Sequence, residues 1–168
     1  QKVKLVRHTV EPEALTALGA RLCYAGGDVE KLLTAIEEKD QRAFVEKIMS
    51  MGHESVLEHV SFTFLVEGVS RVLLAQLTRH RIASFSVQSQ RYVKENIFTF
   101  VTPPAIQEDE KALALYEQTM QDIFAAYQNL ATTLEEKYLE TMDAKSAQKK
   151  AIEDARFVLP NACATKMI

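Results

Sequence analysis

The fold is decided mainly by one stretch, PPAIQEDEKALALYEQTMQDIFAAYQNLATTLEEKYLE, residues 103–140. After two prolines, hydrophobic residues recur at helical spacing. They are Leu113, Tyr116, Met120, Ile123, Tyr127, Leu130 and Leu134. The pattern predicts one helix over residues 107–140, with the acids at 108–110 in its first turn, where the helix dipole favours them. At about 50 Å this helix would be longer than a small domain is wide, so it either kinks or extends along a partner subunit.

The rest of the chain predicts a mixture of helices and strands around this long helix. We expect strands at residues 2–8, 59–68 and 96–101, and an extended segment at 84–92. We expect further helices at 11–22, 28–37, 40–51, 70–80 and 145–158. Because no repeat, linker or low-complexity segment interrupts the pattern, we predict a single α+β domain, residues 1–168, with a mixed or antiparallel sheet.

Composition indicates an ordinary soluble protein. The 168 residues are 47% hydrophobic and 26% charged, which is average for globular proteins, and no apolar run approaches the length of a membrane helix. The first ten residues lack the apolar centre of a secretion signal and also an initiator Met, which suggests a trimmed start. Cys23 and Cys163 have no redox or metal spacing, so we expect two buried free thiols in a cytoplasmic, non-membrane protein.

Charge is unevenly distributed along a chain whose net charge is −3. Residues 68–94, which we call the basic segment, contain no Asp or Glu. Their cations are Arg71, Arg79, Arg81, Arg91 and Lys94, a local charge of +5. This concentration predicts an anion-binding surface. The alternative is that these arginines form ion pairs with distant carboxylates, and charge alone leaves it open.

The residue types in the basic segment fit a phosphorylated, planar ligand. At a helix end, the successive side chains of residues 79–81 point about 100° apart and can surround a ligand. In an extended segment Ser89 and Arg91 share one face, where a hydroxyl beside a guanidinium can bind phosphate. Gln76, one helical turn before residue 79, offers an amide that can pair with a uracil-like edge. Five cations are few for a nucleic-acid groove, so we expect no nucleic-acid partner.

The motif GHESVLEH, residues 52–59, contains four potential zinc ligands. They are His53, Glu54, Glu58 and His59. The two histidines would lie about 240° apart around a helix or about 20 Å apart along a strand, so we predict no metal site. His53 instead falls in a polar turn after Gly52, free to approach a ligand, with Ser55 able to cap the next element. A purely structural histidine is equally open.

The pattern Arg79-His80-Arg81, seven residues, Ser89, one residue, Arg91 resembles the signature of the flavin-dependent thymidylate synthases, the ThyX family. GHES…EH at residues 52–59 and ARFVLP at 155–160 are similar to further motifs of this family, in the same order. The resemblance implies a homotetramer of ThyX-like α+β subunits, with sites built from several subunits.

The activity implied by the resemblance is the reductive methylation of dUMP to dTMP. Methylenetetrahydrofolate supplies the one-carbon unit, NADPH or NADH reduces the flavin, and FAD supplies the hydride. By similarity, the residues that contact FAD are His53, Ser55, Arg79, His80 and Arg81, with His53 also near the folate. Those that bind dUMP are Gln76, Leu77, Thr78, Arg79, Val87, Gln88, Ser89, Gln90, Arg91 and Arg156.

The sequence departs from the family pattern in two places. Val87 stands where many members have Glu or Gln, so a contact from this position must come from its backbone. The family's C-terminal segment, with the arginine that activates the uracil, would lie beyond Ile168, so we assign no catalytic residue and expect reduced activity if the chain is truncated. The competing interpretation is a non-catalytic nucleotide- or RNA-binding module that uses the same basic segment.

Overall fold

The predicted mixture of helices and strands is confirmed by a computed structural model, which describes residues 1–37, 40–90 and 99–168. Contacts group the chain into two compact units, one of Gln1–Val3 with Leu65–Ile168 and the other of Lys4–Phe64. The single domain stays a prediction. Among the described residues, no helix is both long and apolar enough to cross a membrane.

The unit Lys4–Phe64 is organised around its first helix. Helix α1 (Pro12–Leu22) contacts α2 (Val29–Glu37), α3 (Gln41–Ser50) and a 3-10 helix, Glu54–His59. The buried residues of α1 are Thr16, Ala17 and Ala20. Because these side chains are small, neighbouring elements can approach the helix closely. The three predicted helices of this region are confirmed, but the predicted strand at 59–68 begins only after the 3-10 helix.

Within residues 1–37, 40–90 and 99–168, the sheet has three strands in the order β1 (Lys2–His8), β2 (Phe62–Ser70) and β3 (Ala164–Met167). β2 and β3 run antiparallel, with an irregularity between Glu67 and Val69. It falls at Gly68, whose φ of 70° is readily available only to glycine. The sequence prediction missed β3, because four residues are too few to show alternation.

The second edge of β3 is also paired, by two short stretches of chain. Ser86 and Ile168 exchange backbone hydrogen bonds of 2.9 and 3.0 Å. Further along, the amide of Ala164 donates to the carbonyl of Thr99 at 2.9 Å, and Phe100 forms an isolated bridge with Cys163. The predicted strand at 96–101 is therefore reduced to a bridge in its described part, while residues 96–98 lie outside the described residues.

Helix α4 (Arg71–Leu77) follows β2 directly. Its N-terminus is capped by Ser70, the first residue of the predicted helix, whose hydroxyl accepts a hydrogen bond from the amide of Leu73 at 3.2 Å. The helix ends at Leu77 rather than at residue 80. Residues 79–81 consequently lie beyond the last helical turn.

The predicted long helix is divided near its start. A short helix α5 (Pro104–Gln107) precedes α6 (Glu110–Leu139). The carboxylate of Asp109 accepts hydrogen bonds from the amides of Lys111 and Ala112, both at 2.9 Å. Asp109 is thus the cap of α6 and not a first-turn residue, because its side chain competes for the amides that a continuous helix would bond internally.

Helix α6 is still about 45 Å long at 1.5 Å per residue, and packs against α7 (Ala144–Ala155). Met120 and Tyr127 of the predicted seam are buried. The buried residues of α7 are small or aliphatic, namely Ala147, Ala151, Ile152 and Ala155. A 3-10 helix, Arg156–Val158, completes the predicted final helix.

The two cysteines differ in exposure. Cys163 is buried beside β3, as predicted, whereas Cys23 is exposed. The prediction of two buried thiols is therefore wrong for Cys23, which caps the C-terminus of α1, where the chain leaves the helix packing.

Candidate functional site

The C-terminal end of α4 carries the first cluster of predicted site residues. After its last residue, Leu77, the chain continues in turns closed by backbone hydrogen bonds from Thr78 to Leu74, Arg79 to Gln76 and His80 to Leu77, at 3.0–3.2 Å. Most of the cluster is exposed: Gln76, Thr78, Arg79, His80 and Arg81, with Leu77 half-buried. The helix end thus presents several donors to solvent side by side.

Within this cluster, the expected closeness of residues 76 and 79 is confirmed. Nη1 of Arg79 lies 3.4 Å from Oε1 of Gln76, to which it donates. In the part of the chain that the structure describes, neither Arg79 nor Arg81 forms an ion pair with a carboxylate. For these two arginines the alternative of internal ion pairs is therefore not supported, and their charge remains available to an anion.

The second predicted stretch, residues 87–91, is held by β3. Val87 bridges to Met167, and the amide of Gln88 donates to the carbonyl of Lys166 at 3.0 Å. Val87, Gln88, Ser89 and Gln90 are all half-buried. Arg91 lies outside the described residues, so its expected position on the same face as Ser89 stays a prediction.

Arg71 joins these two stretches and was not among the predicted site residues. It is the first residue of α4, and its Nη2 donates to the backbone carbonyl of Gln88 at 3.0 Å. The sequence offered a signal, an arginine inside the acid-free basic segment, but its contact depends on tertiary structure.

Arg156, the remaining predicted dUMP residue, begins the 3-10 helix after α7. Its Nε donates to the carbonyl of Glu153 at 3.1 Å, and its guanidinium carbon lies 5.8 Å from the centre of the Phe157 ring. The side chain of Phe157 is 81% exposed. Arg156 is thus oriented by its own helix end, beside an exposed aromatic ring.

A hydrogen-bonded group next to Arg156 fixes the end of α7 against α6. The hydroxyl of Tyr138 donates to Asp154 at 2.6 Å, and the amine of Lys150 donates to the same carboxylate at 3.0 Å. These two bonds, with a smaller contribution from the charge of Arg156, hold the pKa of Asp154 below its ordinary value. The same bonds to Asp154 raise the pKa of Tyr138 and of Lys150. At neutral pH the carboxylate therefore stays ionised and both partners stay protonated.

His53 and Ser55 belong to the unit Lys4–Phe64. Gly52 has a φ of 78°, and His53 follows it, exposed, at the start of the 3-10 helix. The predicted polar turn is confirmed. The prediction that Ser55 caps the next element is wrong, because the helix already begins at Glu54 and contains Ser55.

The 3-10 helix Glu54–His59 is seated against α1 through a glycine. A Cβ added at Gly19 would lie 2.6 Å from Cδ2 of His59, closer than atoms of this kind approach. Gly19 thus leaves room for the imidazole ring. Within the described residues, no group of three or more His, Cys, Asp or Glu side chains could hold a metal ion.

A cleft of about 530 Å³ opens beside Gln88. Its polar lining includes Lys2, Thr99, Thr165 and Lys166, and Lys2 forms an ion pair with Glu67 at 3.2 Å. No sequence pattern indicated this cleft, because it depends on the unpredicted strand β3.

Comparison with known proteins agrees with the resemblance. A family model described as thymidylate synthase complementing protein matches residues 4–168. The chain is 51% identical to the flavin-dependent thymidylate synthase of Clostridium tetani, over 99% of the chain and 68% of that protein. It is 47% identical to that of Nitratidesulfovibrio vulgaris, over 99% and 67%, and 37% identical to that of Pyrococcus furiosus, over 99% and 64%. The chain thus spans about two thirds of the length of these relatives. It belongs to the flavin-dependent thymidylate synthase family.

Proposed function

We propose that this protein is an FAD-dependent thymidylate synthase that converts dUMP to dTMP. Methylenetetrahydrofolate is the one-carbon donor and NADPH or NADH is the reductant. The observation that carries the proposal is the exposed cluster at the end of α4, where Arg79 and Arg81 have no carboxylate partner among the described residues. In a family named for its flavin dependence, such a cluster is suited to anionic ligands.

The residues present fit FAD in their chemistry. FAD carries a pyrophosphate, and the guanidinium groups of Arg79 and Arg81 with the imidazole of His80 offer charge-assisted donors for it. In the other unit, His53 and Ser55 are exposed and able to donate or accept hydrogen bonds. When bound, FAD supplies the hydride, and these side chains hold it.

The proposed role of residues 76–79 and 87–91 is to bind and orient dUMP. The amide of Gln76 presents a donor and an acceptor that match the edge of uracil. The hydroxyl of Ser89 and the guanidinium groups of Arg91 and Arg156 are donors for the phosphate. Fixing the nucleotide at both ends orients its pyrimidine ring for reaction and lowers the entropic part of the barrier.

The proposed assembly is a homotetramer with shared sites. Large apolar side chains are exposed in both units and on the long helix, which supports a covering partner. Examples are Val3, Leu5, Phe64, Leu65 and Leu115, with exposures of 43–71%. Residues of more than one subunit would then complete each site.

One experiment tests both function and assembly. The purified protein, incubated with FAD, is sedimented while flavin absorbance is recorded, and dUMP is then added. We expect flavin to migrate with an oligomer and its spectrum to change with dUMP. A flavin-loaded monomer would contradict the shared site. A colourless protein that binds RNA with strong salt dependence would instead support the binding-module interpretation.

A further inference from the structure

Arg71 connects the two stretches that we assign to dUMP, although it belongs to neither. It begins α4, the helix whose last turn carries Gln76 and leads to Arg79. Its guanidinium donates to the carbonyl of Gln88 at 3.0 Å, in a half-buried position. Gln88 directly precedes Ser89. The side chain of one residue therefore spans the distance between two ligand-binding stretches.

Both ends of this connection are fixed by the backbone around β3. On the α4 side, the amides of Arg71 and Val72 donate to the carbonyls of Cys163 and Asn161 at 3.2 and 3.3 Å. On the other side, the amide of Gln88 donates to Lys166 at 3.0 Å. Because both ends rest on residues 161–166, the guanidinium closes a ring of contacts rather than tethering a free loop.

We propose that Arg71 is a positioning residue for the nucleotide. By holding the Gln88 carbonyl, it fixes residues 87–90 relative to residues 76–79. The inference rests on the proposed function. It gives Arg71 the role of holding a backbone carbonyl, whereas Arg79 and Arg81 serve the ligand.

The contact favours arginine over lysine. A guanidinium presents several donors in a rigid plane, so it can bond a carbonyl while its other nitrogens face elsewhere. A lysine at this position has a single terminal nitrogen and would hold the carbonyl less firmly. Methionine keeps much of the unbranched stem and removes every donor, so it isolates the hydrogen bond from the packing of the stem.

The test measures dUMP affinity by calorimetry and flavin content by absorbance on the FAD-loaded chain. We expect Arg71→Met to bind dUMP about tenfold more weakly with unchanged flavin content, and Arg71→Lys to fall in between. Arg42→Met is the matched control, because Arg42 is 81% exposed, pairs with Glu46 on the surface of α3 and carries the same charge. This control should bind dUMP as wild type does.

A double-variant cycle separates positioning from a general structural effect. If Arg71 acts through the stretch after Gln88, Arg71→Met combined with Ser89→Ala should weaken dUMP binding by less than the product of the two single effects. The pair Arg42→Met with Ser89→Ala should show no such coupling. Strictly multiplicative effects for Arg71 and Ser89 would overturn the inference.

The outcomes separate this inference from the proposed function. A wild-type chain that binds FAD but no dUMP rejects the proposed function and this inference with it. A wild-type chain that binds dUMP, with Arg71→Met binding equally well or losing flavin first, rejects the inference alone. If Arg71→Met does not fold, Arg71→Lys decides, and wild-type affinity in that variant rejects the inference.

Discussion

The α6–α7 pair and the described part of the basic segment, residues 68–90, are built in opposite ways. Each of these helices begins at an aspartate cap, Asp109 in α6 and Asp143 in α7, and each has buried apolar residues, such as Met120 in α6 and Ile152 in α7. The helix in this part of the basic segment is α4, which has seven residues, and none of these seven is buried. Its remainder is held by backbone hydrogen bonds to β3 and by the side chain of Arg71.

This difference indicates that α6 and α7 contribute mainly to stability and the basic segment mainly to ligand binding. Buried side chains stabilise α6 and α7, whereas the backbone of the basic segment is held by hydrogen bonds, and the polar side chains at the end of α4 (Gln76, Thr78, Arg79, His80 and Arg81) stay exposed. Substitutions in the first region should therefore change the free energy of unfolding. Substitutions in the second should change ligand affinity.

The largest effect is expected from Met120→Ala in α6. Met120 is only 5% exposed, and removing its side chain should lower the free energy of unfolding by about 2–5 kcal/mol. Glu117→Ala on the same helix is the control. Glu117 is exposed, so this change should cost no more than about 0.5 kcal/mol. Denaturant unfolding measures both, and equal losses would contradict the packing role of the seam.

The next largest effects are expected within the basic segment, where Arg91 is assigned to dUMP and Arg81 to FAD. Arg91→Ala should remove a charge-assisted phosphate contact of about 1.5–3 kcal/mol, which weakens dUMP binding roughly 10- to 150-fold with flavin content unchanged. Arg81→Ala should instead lower flavin content. Arg91→Lys should restore affinity only in part, because it loses the planar fork. Titration with dUMP and flavin absorbance distinguish the variants. Wild-type dUMP affinity in Arg91→Ala would show that the assignment to nucleotide and cofactor is wrong.

The smallest effect is expected at the contact between α6 and α7. Tyr138→Phe removes the hydroxyl bonded to Asp154 and should lower stability at neutral pH by less than Met120→Ala. The pKa of Asp154 is lowered, so its contribution to stability is fully present above its ordinary pKa of 3.8 and is lost as pH falls through the lowered pKa. The pKa of Tyr138 is raised, so its contribution to stability is fully present below its ordinary pKa of 10.0 and is lost as pH rises through the raised pKa.

The difference between wild type and Tyr138→Phe should therefore be greatest between these limits and shrink on both sides. Unfolding free energies measured across this range test the prediction. Tyr24→Phe is the control, since Tyr24 is 84% exposed and its variant should unfold with nearly the free energy of wild type. If the unfolding free energies of wild type and Tyr138→Phe differed by the same amount at every pH, the hydrogen bond between Tyr138 and Asp154 would not explain the loss of stability.

The sequence predicted best the elements whose residues act locally. The seam of α6 and the Ser70 cap are visible because periodicity and capping depend on near neighbours. The break at Asp109 was missed, since acids in the first turn and an acid at the cap look alike in sequence. Strand β3 was missed because its partners, residues 66–70, 86–88 and 99–101, are all distant in the chain.

The candidate site was predicted from a sequence motif rather than from hydrophobic periodicity. The spacing of Arg79-His80-Arg81, Ser89 and Arg91 carried the resemblance, and the family is confirmed by comparison. Which residues contact FAD and dUMP stays a prediction. The role of Arg71 could not have been found in this way, because it depends on where the Gln88 carbonyl lies in the folded chain.

The pairing of β3 also has a consequence for the order of folding. Val87 and its partner Met167 lie 80 residues apart in sequence, and closing so long a loop slows folding relative to local helix formation. During synthesis, α4 and the residues after it leave the ribosome well before β3. The backbone support of residues 86–88 therefore arrives late. The nascent chain should gain its helices early and its ability to bind the nucleotide late.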